Sequence, residues 1–147
     1  MGVLYSITPV SAFSKDDDIG IDIKPYLRDA SRSPSIAELE HIVGSSTDCV
    51  VEWFDDHNDT KVASITHTRE GEDDSRTTLV IMNYSNVDKQ GYYFEKGDRD
   101  LLIDFVHRIS KICGSQVIYP DSGGSPVLVD PRLSPPEALQ IWKNQNG

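Results

Sequence analysis

At Asp48 the spacing of apolar residues changes from a helical period to a strand period, and that change constrains the fold more than any other feature of the chain. Before it, Ile36, Leu39, Ile42 and Val43 fall on one helical face. After it, residues 49–54, 61–69, 76–84 and 91–95 read as four strands rich in Val, Ile, Thr and aromatic side chains. The breaks at 55–60, 70–75 and 85–90 are short. A parallel connection needs a crossover of about a dozen residues or more, so these gaps predict an antiparallel meander.

Helix signals bracket the strands. The first helix has two candidate starts: Ser33 with Pro34 at the first helical position, or Ser35 with Glu38 in a capping box. Gly44 supplies its stop. The second opens at Asp98, carries the apolar stripe Leu101, Leu102, Phe105, Ile109, Ile112 and Cys113, and ends at Gly114, with Arg108 and Lys111 near the negative end of its dipole. Ser134 and Glu137 form another capping box, opening a terminal helix through Trp142. Residues 3–7 read as a first strand, and Ile19, Ile21 and Ile23 alternate as an edge strand that Pro25 ends. Residues 116–119 and 126–129 flank Asp121-Ser122-Gly123-Gly124 as a closing hairpin. Strand runs between separated helices indicate an α+β fold, an antiparallel β-sheet meander with helices packed mainly on one face. The 147 residues show no composition shift, repeat or low-complexity tract, so 1–147 reads as a single α+β domain.

Charge narrows the partners. The chain has 14 Lys and Arg against 24 Asp and Glu, a formal −10. Phosphate contacts require a basic surface, which argues against a nucleic acid or an anionic membrane and favours a basic protein partner. The stretch 48–75 concentrates the acidity: Asp48, Glu52, Asp55, Asp56, Asp59, Glu70, Glu72, Asp73 and Asp74 face only Lys61 and Arg69. In a meander, the loops 55–59 and 70–74 fall at opposite ends of the strand between them. The candidate partner-binding residues are Glu52, Asp55, Asp56, Asp59, Glu70, Glu72, Asp73 and Asp74, with Trp53 as an aromatic anchor and Tyr92 and Tyr93 as further aromatic candidates. A solvated surface that keeps a small protein soluble is the other account of the same charge.

Catalytic signatures are not visible. Asp55-Asp56-His57-Asn58-Asp59 lacks the spacing of a calcium loop, and no His-Glu-x-x-His zinc motif occurs, so these residues read as a hairpin turn. Ser122-Gly123-Gly124-Ser125 precedes Pro126 and a strand, unlike a phosphate loop, which opens a helix. Cys49 and Cys113 lie in apolar stretches and read as free thiols of a reducing compartment. The N-terminal residues carry neither a basic run nor a long apolar stretch, and no window reaches the ~18–20 apolar residues of a membrane span, so the expected location is cytoplasmic. No metal and no cofactor is expected.

In size, acidity and pattern the chain resembles bacterial toxin-immunity proteins: a capped helix, a meander carrying Trp53, and Tyr92-Tyr93 ahead of the long helix. The resemblance implies a protein that binds and blocks a cognate toxin domain, often a basic nuclease, and it carries over no individual residue. Two other classes stay open. One is a small enzyme whose site assembles in space from His67, His107, a cysteine and Asp residues; the other is a ligand-binding or assembly module.

Overall fold

Among the described residues seven strands form one sheet in the order β2-β3-β4-β5-β1-β6-β7, every neighbouring pair antiparallel. The strands are β1 (Leu4–Pro9), β2 (Cys49–Asp56), β3 (Thr60–His67), β4 (Ser75–Met82), β5 (Gly91–Glu95), β6 (Gln116–Pro120) and β7 (Val127–Val129). The helices are α1 (Ile36–Gly44), α2 (Arg99–Cys113) and α3 (Pro135–Gln145). This computed structural model describes residues 3–14, 23–27, 30–46, 48–68, 74–121 and 125–145. The α+β class and the β2–β5 meander are as the sequence leads one to expect.

The position of β1 is not. It lies in the middle of the sheet, paired with β5 on one side and β6 on the other. Because β5 and β6 are both antiparallel to β1, they run parallel to each other, and their connection has to cross over β1. α2 makes that crossover, as parallel strands generally require. The longest helix is thereby laid across the sheet.

Alternation along the strands builds the core. Ala63, Ile65, Leu79, Ile81, Phe94, Tyr5, Ile7 and Ile118 point to one face and join Leu101, Leu102, Phe105 and Ile109 of α2, Leu39 and Ile42 of α1, and Trp142 of α3 in one buried cluster. Full burial of such side chains contributes about 1.5–3 kcal/mol each. Phe94 and Phe105 stack at 6.4 Å between sheet and helix, and Tyr5 meets Trp142 edge-on at 5.8 Å. A smaller cluster of Val10, Ile23 and Val117, with Phe13, Tyr26, Tyr119 and Leu128, lies against the opposite face at the β6–β7 end. Over β2 to β5 that opposite face has no helix among the described residues.

The helix starts follow their local chemistry. Ser35 caps α1 with the full capping box: its hydroxyl accepts from Glu38 N–H while the Glu38 carboxylate accepts from Ser35 N–H. Arg32 donates to both Glu38 oxygens at 2.7 and 2.9 Å. Ser134 and Glu137 bond reciprocally at the start of α3. Asp98 is the N-cap residue of α2, but its carboxylate accepts from Arg76 N–H at 3.1 Å instead of from its own helix. Arg108 donates to Ser46 Oγ, tying α2 to the end of α1.

One expectation needs correction, and two others fall partly or wholly outside the described residues. Ile112 belongs to the sequence stripe but is 47% exposed, because that position sits at the rim of the buried arc of α2. Of the proposed 19–23 edge strand only Ile23 lies within the described residues; it is buried and precedes a 3-10 turn, Lys24–Tyr26, that contains Pro25. The turn residues Ser122, Gly123 and Gly124 lie outside the described residues, although β6 and β7 do pair as a hairpin. No described helix is long and apolar enough to cross a membrane.

Candidate functional site

Period-two geometry decides what β2 presents. Cys49, Val51, Trp53 and Asp55 share the helix-side face, and Val50, Glu52, Phe54 and Asp56 share the outer face. Trp53 therefore packs, half-buried, against the core cluster. Phe54 is 50% exposed and Val50 59% exposed, with Glu52 exposed between them. The register carries the outer face inward from the edge: Phe54 pairs with Val62, Val62 with Val80, and Val80 with Tyr93. One transverse apolar row thus spans four strands and ends at the sheet edge on exposed Phe54. A parallel row, Glu52–Ser64–Thr78–Glu95, lies beside it and carries an acid at each end. Among the described residues Glu52 makes no ion pair.

The β2–β3 hairpin holds the other acids at this end of the sheet. Asp56 and Thr60 close the turn, and Asn58 and Asp59 adopt left-handed φ values of 63° and 58°. Asn and Asp enter that region more readily than other non-glycine residues. Asp59 is a fastener: its carboxylate accepts from Ser85 N–H and Ser85 Oγ, each at 2.8 Å, while its carbonyl accepts from Tyr84 N–H. Asp55 and Asp56 are exposed. With Asp59, Thr60, Lys61 and Tyr84 they line a shallow hollow of about 130 Å³.

Lys61 brings a cation into this acidic end. Its ammonium lies 5.2 Å from the Trp53 ring centroid and 4.6 Å from that of Tyr84, 3.4 Å from the Tyr84 hydroxyl and 3.7 Å from Glu40 Oε2. The Tyr84 hydroxyl in turn donates to Glu40 Oε1 at 3.0 Å. Its bond to Tyr84, with the charges of Glu40 and Asp55, holds Lys61 protonated above its ordinary value despite some desolvation. Trp53 is thus already covered by a cation from its own chain.

Of the second acidic loop, Glu70, Glu72 and Asp73 lie outside the described residues. Asp74 is exposed at the far end of β3 from the hairpin, 4.0 Å from Arg76 Nη2. Tyr92 and Tyr93 separate as alternation requires: Tyr92 packs against Phe94 on the helix side, and Tyr93 joins the outer apolar row. The Tyr92 hydroxyl is buried, with no hydrogen-bond partner among the described residues, and burial pushes its pKa up.

The chemistry-bearing side chains are dispersed. His41 is exposed on α1, His67 is half-buried on β3, and His107 is buried on α2. Cys49 and Cys113 are unbridged, and burial raises both thiol pKa values, which disfavours the thiolate. Among the described residues no group of three His, Cys, Asp or Glu side chains is placed to share a metal ion. Asp121 accepts from Leu4 N–H, whereas Asp130 is bound by Ser115 and Arg132. Each carboxylate therefore has a structural bond of its own.

Val50 and Phe54 escaped the sequence reading, since β2 is apolar on both faces and period two alone does not say which face is buried. No protein-family model, curated protein or solved structure matches the chain.

Proposed function

We propose that this chain is an immunity-type protein of the cytoplasm that binds a basic toxin domain and neutralises it by occlusion. The observation that carries the reading is the outer face of β2, where exposed Val50 and Phe54 alternate with Glu52 and Asp56. Apolar area supplies affinity there, while the carboxylates speed encounter with a basic partner and repel acidic ones. The net −10 extends the same bias over the whole molecule. Exposed Val50 and Phe54 on one face of an edge strand suit a protein contact, in which aromatic side chains are enriched.

The test is protection. Each gene adjoining that of the chain is expressed in a bacterium with and without the chain, and survival is scored. The reading predicts survival that depends on the chain and a complex that can be isolated with the toxin domain. Full toxicity in the presence of the folded chain, with no complex formed, contradicts it.

A further inference from the structure

The free edge of β2 indicates how the partner is held, an inference that rests on the binding role proposed above. β2 ends the sheet and pairs with β3 continuously from Cys49 to Asp56. Among the described residues, its backbone hydrogen bonds go to β3, apart from Cys49 N–H donating to Ser46 O at 3.3 Å. Every second residue of such a strand turns its N–H and C=O outward. Natural edges of this length are usually guarded by charged side chains, by Pro or by a bulge, and the guard of β2 is acidic: Glu52, Asp55 and Asp56. β2 contains no Lys, Pro or Gly, and its register has no bulge. The other edge, β7, spans only Val127–Val129 and packs against α3.

We propose that β2 receives an extended segment of the basic partner as an added strand. Added strands gain affinity from main-chain bonds and specificity from alternate side chains. The outer face of β2 sets that alternation: Lys or Arg opposite Glu52 and Asp56, and apolar side chains opposite Val50 and Phe54. Charge selects this occupant over a second copy of the chain, which would bring another −10 to an edge already carrying Glu52, Asp55 and Asp56.

The experiment is an NMR titration of the full chain, isotope-labelled on nitrogen, with a short synthetic peptide. In the peptide, Lys and Val alternate along one face and are separated by Thr. Millimolar peptide should shift the β2 amides and slow hydrogen exchange at every second one. N-methylating the peptide amides that would face β2 keeps the charge and removes the main-chain donors to that edge, and should weaken binding about tenfold or more. Equal binding by the N-methylated peptide would overturn strand addition while leaving the basic-partner reading standing. Equal binding by a peptide with Glu in place of Lys would overturn the charge selection instead. Shifts confined to other strands, no shift at millimolar peptide, or self-association of the chain through β2 would each overturn the proposal.

Discussion

Glu52 and Trp53 are consecutive on β2 and face opposite sides of the sheet: Trp53 lies against the core with the Lys61 ammonium 5.2 Å from its ring, and Glu52 stands exposed beside Phe54. The aromatic residue at the open surface is therefore Phe54, and the two positions should respond differently to truncation.

Phe54→Ser should change stability by no more than about 0.5 kcal/mol, as surface substitutions usually do, while weakening the complex with the basic partner. Trp53→Ala should instead lower stability, because it uncovers core and removes the ring beneath Lys61. Urea denaturation together with a binding titration separates the two. A Phe54→Ser protein that binds as tightly as the parent would remove the outer face from the account.

Phe105→Ala should cost about 3–5 kcal/mol. The ring is 2% exposed and stacks on Phe94, so truncation leaves a cavity between α2 and the sheet. A loss below about 1 kcal/mol in urea denaturation would show that α2 does not anchor the core there.

Local chemistry was legible in the sequence, and long-range pairing was not. Ser35 with Glu38 and Ser134 with Glu137 name their helix starts because a capping box is confined to four residues. The β2–β5 meander follows from short gaps. The central place of β1 depends on partners about ninety and more residues away, Glu95 and Pro120 among them, which no local spacing encodes. Asp98 has the right residue type and position for a cap, yet Arg76 N–H competes for its carboxylate. At the candidate site the acids of β2 and its hairpin were readable. The engagement of Asp59 with Ser85 and the burial of Trp53 were not, since both arise from tertiary packing.

Asp130 should give the chain a distinct acid response. Its side chain is buried, and the Arg132 guanidinium, aided by Ser115 against the cost of burial, holds its carboxyl at about 2, below the ordinary 3.8. A depressed carboxylate pKa stabilises the fold above the unfolded value, and that contribution is lost as pH falls from about 4 through about 2. The effect is on the order of 2 kcal/mol. Denaturation curves across this window should be flatter for Asp130→Asn than for the parent. Parallel curves would show that Asp130 is not linked to folding.

Gly114→Ala should destabilise markedly. Gly114 ends α2 at φ 86°, and an added Cβ would fall 2.5 Å from the Ala30 carbonyl oxygen. Positive φ alone costs a non-glycine residue about 1 kcal/mol or more, and the clash adds to it. A melting temperature equal to the parent's would contradict this packing of residue 30 against the helix end.

The account rests on acidic attraction at the β2 edge and its hairpin, and association kinetics test it most directly. Stopped-flow mixing with the basic toxin domain is run at rising salt, for the parent and for a chain carrying Asp55→Lys and Asp56→Lys. Screening over about 8 Å at physiological ionic strength predicts slower association of the parent as salt rises, with dissociation changing less. The reversed chain, its fold verified, should associate about tenfold more slowly or worse at low salt and lose most of the salt dependence. If the two chains associate at the same rate and protect cells equally, acidic docking at this edge is wrong.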